Sequence, residues 1–314
     1  MDPFRKKFSV DDIPRLSGKV IIVTGGATGI GKQVVEQLLR HNAKVYVASR
    51  SKGKFEQLLN HLELIDPLMV AGLRFLELDL SDATSCISAA KHFTDLEGRL
   101  DVLIANAALS VVPETLTSDG IEVQFGNLIQ HTSETFGEAR VVIVASHAHA
   151  MYNPVLPDKI NFEGLRTEGL PTIKSLGDVQ ASLQSTQISG TEELEAKMNE
   201  AEILIGTVGA APGTDSAALP PAFKFINTSL VRLMSISPED GALTTLLVAT
   251  DPEIKSKSLS GRYFDVGPLA GKFYYGYSWD ATDSKLSDLA KDEHLGEMLW
   301  NWSVEAEASI NPFV

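Results

Sequence analysis

The chain has 314 residues, 44% hydrophobic and 22% charged, the balance of an ordinary globule with enough apolar material for a large core. Its formal net charge of −14 excludes a general nucleic-acid binder, whose affinity comes mainly from clustered Lys and Arg. No apolar run reaches the roughly 18 to 20 residues that span a bilayer, and a lone cysteine, Cys86, excludes an internal disulfide and points to a cytoplasmic protein.

The start, MDPFRKKFSVDDIP, is basic but has no apolar centre of the signal-peptide kind, and residues 1–16 read as a short arm. From Lys19 the chain alternates strand-like and helix-like runs. KVIIVTGG is a short apolar run ending in glycines, and GIGKQVVEQLLRHN follows with Ile30, Val34 and Leu38 at helical spacing. KVYVASR and FEQLLNHLELI repeat the pair, then RFLELDL with SDATSCISAAKHF, then DVLIANAA. RVVIVAS at 140–146 and EILIGTVG at 202–209 supply further strands, and GRYFDVG at 261–267 a last one. Such alternation predicts parallel strands joined by right-handed crossovers with helices on both faces. The expected fold is therefore α/β: a Rossmann-type doubly wound parallel sheet in three α/β/α layers, forming a single domain over 17–305 with a tail at 306–314. Within it, 148–185 reads as an irregular excursion, and 214–240 as a segment covering an apolar substrate.

The run TGGATGIG, Thr24 to Gly31, follows a strand and opens a helix. Gly25, Gly29 and Gly31 allow a tight turn and close approach to a ligand, and the free N–H groups at the head of the helix, around Ile30, suit a pyrophosphate. The second strand closes with Ser49-Arg50. A carboxylate there would hold the ribose hydroxyls of NAD and repel a 2′-phosphate. The guanidinium of Arg50 instead offers a charged fork for a phosphate, which makes NADP the expected cofactor. A solvated surface arginine is the plain alternative.

Three residues separate Gly25 from Gly29, a wider spacing than the tighter dinucleotide fingerprint, and one that resembles the short-chain dehydrogenase/reductase family. Other motifs agree. Asp79-Leu80 is similar to the family's adenine-contacting pair, and Asn106-Ala107-Ala108 resembles its Asn-Asn-Ala-Gly motif, with Ala105 in the first Asn place. Ser146 closes the fifth strand where the family keeps a catalytic serine, and Pro212-Gly213 resembles its turn near the nicotinamide. The ending DEHLGEMLWNWSVEAE looks like that of retinol-dehydrogenase-like and WW-domain-oxidoreductase-like members, with Trp300 and Trp302 read as closing the core or an oligomer contact. The resemblance implies a nicotinamide-dependent oxidoreductase with a small-molecule substrate, and a homodimer as the common assembly.

The same resemblance implies a catalytic Tyr with a Lys four residues later, on one helix face, so that the ammonium lowers the phenol's pKa and holds the ribose. No Tyr-x-x-x-Lys occurs in the chain. Counting back from Pro212-Gly213, Thr186 stands in the Tyr place and Gly190 in the Lys place. An aliphatic hydroxyl cannot be tuned toward ionisation as a phenol can, and losing a positioned general acid costs about 10²- to 10⁴-fold in rate. The run from DGIEVQFGN into LIQHTSETFGEARVV is also shorter than the family's long helix, with Asn127 the nearby Asn. Tyr152, six residues after Ser146, and the flanking His147 and His149 are substitute proton donors; packing aromatics and exposed loop histidines are the plain readings. No Cys or His set has metal-ligand spacing. Two functions follow: an NADP(H)-dependent oxidoreductase for a small or medium hydrophobic carbonyl, alcohol or imine, or an altered relative that binds NADP without redox chemistry, as a pseudoenzyme, isomerase or cyclase.

Overall fold

The computed structural model describes residues 6–107, 140–146, 202–208, 237–257, 259, 262–265, 268–269, 272–273, 277–280 and 301. Runs of apolar residues, β-branched in β2, β6 and β7 above all, form the parallel strands at its centre: β2 (Val20–Thr24), β3 (Lys44–Ser49), β4 (Leu73–Glu77), β5 (Val102–Ala105), β6 (Arg140–Ser146), β7 (Glu202–Val208) and β8 (Tyr263–Asp265). With two edge strands, β1 (Lys6–Lys7) and β11 (Tyr277–Asp280), they make a nine-stranded sheet ordered β1-β11-β8-β7-β6-β5-β2-β3-β4. The order reverses direction at β2 and β5, so the crevice of a doubly wound sheet opens at their carboxyl ends.

Side chains alternate across the sheet. Ile21, Val23, Val45 and Val47 face one apolar cluster together with α1 (Gly29–Arg40) and α2 (Lys52–Ile65). Val20, Ile22, Tyr46 and Ala48 face a second cluster with Ala89 and Phe93 of α3 (Ala83–Leu96). This is the single-domain three-layer α/β arrangement expected from the alternation. The helical spacing in α1 holds in detail, with Val34 and Leu38 fully buried and Ile30 at the margin.

Three features depart from the expectation. Tyr263–Asp265 is not the last strand: a small hairpin of β9 (Pro268–Leu269) and β10 (Lys272–Phe273) follows, and then β11 returns antiparallel to β8. A helix the sequence analysis does not anticipate, α4 (Pro238–Thr250), begins inside the 214–240 segment. Its cap is Ser237, whose hydroxyl accepts from the Asp240 N–H at 3.1 Å, with Pro238 at the first helical position. A short helix, α5 (Glu253–Ser256), follows it. The amino-terminal residues, finally, are part of the sheet and core: β1 pairs antiparallel with β11, and Phe8, Ile13 and Leu16 are buried against the α1 and α4 side. Among the described residues no helix is long and apolar enough to cross a membrane.

Candidate cofactor site

The carboxyl end of β2 leads into the glycine turn, and its geometry is fixed from below by Thr24. This residue is 1% exposed; its hydroxyl accepts from the N–H groups of Asn106 at 3.1 Å and Ala107 at 2.9 Å. The Asn106 amide donates back to the Thr24 carbonyl at 2.9 Å. Gly25 then donates from its N–H to the Ala48 carbonyl at 2.9 Å, tying the turn to β3.

Glycine is needed here for space. A Cβ on Gly31 would lie 2.5 Å from the Asn106 amide nitrogen and 2.6 Å from the Gly25 carbonyl oxygen. At Gly29 nothing lies within 4 Å of such a Cβ, and the requirement is instead its φ of +55°. The turn therefore sits tight against β5 and leaves the head of α1 bare. No acidic side chain occupies the first turn of α1, and the Thr28 hydroxyl at its N-cap makes no capping hydrogen bond. A helix end with free N–H groups, a free hydroxyl and no carboxylate is suited to a phosphate.

Beside the turn lies a cleft of ≈ 180 Å³. Gly25, Ala27 and Thr28 form one wall, Ser49 to Ser51 with Lys54 another, and Leu78 to Ser81 a third, with Ala107 at the end. Arg50 and Lys54 are both exposed, and Arg50 makes no hydrogen bond or ion pair with the described residues. Lys54 is brought to the cleft because Ser51 caps α2, its hydroxyl accepting from the Lys54 N–H at 3.3 Å. Asp79, the one carboxylate in the lining, accepts from the Ser81 N–H at 3.0 Å and hydroxyl at 2.6 Å. Leu80 is buried beside it and offers an apolar surface.

The structure thus gathers Gly25, Arg50, Asp79, Leu80 and Ala107 around one cleft, with Thr24 and Asn106 beneath the turn and Gly29, Ile30 and Gly31 in the first turn of α1. Sequence reasoning misses Thr28, Ser49, Ser51 and Lys54. Thr28 and Ser49 lie within runs the sequence singles out, the glycine turn and the end of the second strand, whereas Lys54 reaches the cleft only through the Ser51 cap. Ser146 ends β6 opposite Val208 of β7, at the same carboxyl edge. Tyr152, Thr186, Pro212 and Gly213, together with Asn127, His147, His149 and Gly190, lie outside the described residues.

Comparison with known proteins agrees with this geometry. A family model described as short chain dehydrogenase matches residues 19–155. The chain is 31% identical to a short-chain dehydrogenase/reductase, drtF, of Aspergillus calidoustus, over 93% of this chain and 95% of that protein. It is 27% identical to human retinol dehydrogenase 11, covering 93% of this chain and 86% of that one. Among solved structures, an uncharacterized protein from Mycobacterium paratuberculosis shares the fold with a TM-score of 0.69 at 24% identity, covering 96% and 97% of the two chains. With the glycine turn, the cleft and the sheet order in place, the chain belongs to the short-chain dehydrogenase/reductase family, on its retinol-dehydrogenase-like side.

Proposed function

We propose that the protein is an NADP(H)-dependent oxidoreductase acting on a small or medium hydrophobic carbonyl, alcohol or imine. The observation that carries the cofactor choice is the end of β3, where Arg50 and Lys54 line the cleft and no carboxylate follows the strand. Two cations there favour a 2′-phosphate, and the glycine turn with Thr28 and the head of α1 favours the pyrophosphate. Leu80 and Asp79 are left for the adenine. In reduction the carbonyl carbon would take a hydride from the bound dihydronicotinamide and its oxygen a proton, giving the alcohol and the oxidised cofactor. A cationic imine would take the hydride alone. Ser146, at the carboxyl end of β6, is the residue proposed to orient the substrate, with Tyr152 and Thr186 the candidate hydroxyls for the proton.

Titration with NADPH and NADH tests the cofactor assignment. NADPH should bind more tightly by about tenfold or more, and Arg50→Ala should erase most of that difference. No saturable NADPH binding would overturn the assignment.

A second reading rests on the missing Tyr-x-x-x-Lys: a family member that binds NADP but does not move a hydride, or one that isomerises or cyclises its substrate. Assays with aldehydes, ketones and cyclic imines on the parent, Ser146→Ala, and a Thr186→Tyr/Gly190→Lys variant separate the two. Turnover by the parent that Ser146→Ala lowers supports the oxidoreductase. Turnover only after restoring the pair supports the second reading.

A further inference from the structure

Resting on the NADP(H) reading of the cleft, we infer that Ser51 is a phosphorylation site, and that its phosphate takes the place of the cofactor's 2′-phosphate. Two observations meet at this residue. Ser51 lines the cleft of ≈ 180 Å³ together with Arg50 and Lys54, and it is the N-cap of α2. Its hydroxyl already accepts from the Lys54 N–H at 3.3 Å.

A phosphoryl group has both room and partners there. Nothing lies within 4 Å of a Cβ built on Gly53, so the first turn of α2 is open on that side. No acidic side chain occupies that turn, and the helix end favours an anion. Phosphoserine carries a charge of about −2 at pH 7 with three acceptor oxygens, to which Arg50 and Lys54 can both donate. Phosphorylation therefore strengthens the cap while engaging the same two cations that a 2′-phosphate needs. Two such anions in one small cleft repel each other, so the modified chain excludes NADP(H). NAD(H), without the 2′-phosphate, escapes most of that conflict.

The residues around Ser51 indicate which kind of enzyme would act. Residues 49–55 hold Arg50, Lys52 and Lys54 and no Asp or Glu, in a chain of net charge −14. Such a run is matched to a protein kinase directed to basic flanks and mismatched to an acid-directed one. Arg50, Lys52, Gly53 and Lys54 are exposed, and Gly53 makes the first turn of α2 easier to open. Ser49, the neighbouring hydroxyl, is instead held in β3 opposite Glu77, its carbonyl accepting from the Leu78 N–H at 3.3 Å. In the transfer, the Ser51 Oγ bonds to the γ-phosphorus of ATP as the bond to ADP breaks, and the hydroxyl proton passes to the kinase's base. A cofactor in the cleft covers that hydroxyl, so NADP(H) and the kinase compete for one place.

The test has two arms, both on the full chain. In the first, the protein is incubated with ATP and a serine/threonine kinase selective for basic flanks, with and without saturating NADPH, and phosphate is mapped by mass spectrometry. Phosphate should appear on Ser51 and NADPH should suppress it. No phosphate on Ser51, or labelling indifferent to NADPH, overturns the inference. In the second, the parent and a form synthesised with phosphoserine at position 51 are titrated calorimetrically with NADPH and NADH. NADPH affinity should fall by about tenfold or more and NADH affinity by less than about threefold, with no fall in the melting temperature of the free protein. Equal NADPH affinity in the two forms, a parallel loss of both cofactors, or a lower melting temperature would each count against the inference. Failure of the cofactor reading is distinguishable, because the parent itself would then show no saturable NADPH binding and both claims would fall together.

Discussion

The Thr24 hydroxyl accepts from the backbone N–H groups of Asn106 and Ala107, while the Asn106 side chain donates to the carbonyl of Thr24 itself, so each residue holds the other. The pair fixes the distance between the ends of β2 and β5, and the glycine turn is built on that spacing. Thr24→Val keeps the shape and removes the acceptor, leaving two backbone N–H groups without their partner. We expect a loss of about 2 kcal/mol in urea unfolding, and weaker NADPH binding because the turn above is no longer fixed. Thr24→Ser keeps the acceptor and should retain most of both.

Gly31 and Gly29 should respond to substitution in opposite ways. Gly31→Ala forces a methyl to within 2.5 Å of the Asn106 amide and 2.6 Å of the Gly25 carbonyl, so the turn must open. Overpacking of this kind costs about 1 to 3 kcal/mol, and NADPH affinity should fall with it. Gly29→Ala meets no atom within 4 Å and suffers only from its φ of +55°, about 1 kcal/mol. Gly29→Asn should recover much of that loss, since Asn tolerates the left-handed region, whereas Gly31→Asn should be worse than Gly31→Ala. Melting curves of the four variants, with and without NADPH, check the order.

The parts legible in the sequence are those whose signal is local. The helix stripe of Val34 and Leu38, the glycines after β2 and the Arg50 that follows β3 each sit within a few residues of what they explain. The helix α4 has no stripe, because Gly241, Ala242 and every residue from Thr244 to Thr250 are buried, and uniform burial erases helical periodicity. The pairing of Lys6 and Lys7 with Tyr277 and Ser278 joins opposite ends of the sequence, and no local pattern could announce it. Lys54 becomes a cleft residue only once Ser51 caps α2 there. The absent Tyr-x-x-x-Lys, by contrast, is plain in the sequence, and its consequence is chemical.

Tyr46 shows how the side of the sheet facing α3 is closed. Its ring packs edge-on to Phe93 at 5.1 Å, and its hydroxyl donates to Glu97 at 2.7 Å, which Lys44 also reaches at 2.8 Å. Burial, then the hydrogen bond and charge of Glu97, push the phenol up to about 12 from its ordinary 10.0. A raised folded-state value means that the neutral phenol's contribution is complete below pH 10 and is lost as pH rises toward 12. Tyr46→Phe keeps the ring contact and removes the hydroxyl, so it should cost about 1 kcal/mol at neutral pH. The difference from the parent should shrink above pH 10, as measured by chemical denaturation across that range.

Asp101 does the corresponding work at the amino ends of the strands. Its carboxylate accepts from the Val20 N–H at 2.9 Å, Lys19 at 2.9 Å and the Arg99 guanidinium, while its own N–H donates to the Val20 carbonyl at 2.8 Å. Burial alone would raise its pKa; the Arg99 hydrogen bonds, the Val20 N–H and Lys19 outweigh it and hold the group below its ordinary 3.8. A depressed folded-state value contributes stability that is full above 3.8 and is lost as pH falls through the folded value. Asp101→Asn preserves the shape and an acceptor for Val20 but removes the charge that Lys19 and Arg99 address. It should cost about 1 to 2 kcal/mol at neutral pH, with the gap to the parent closing below pH 4. Because the latch sits at the sheet edge opposite the cofactor cleft, NADPH affinity measured at neutral pH should stay within about twofold of the parent in the folded variant, separating a stability role from a binding one.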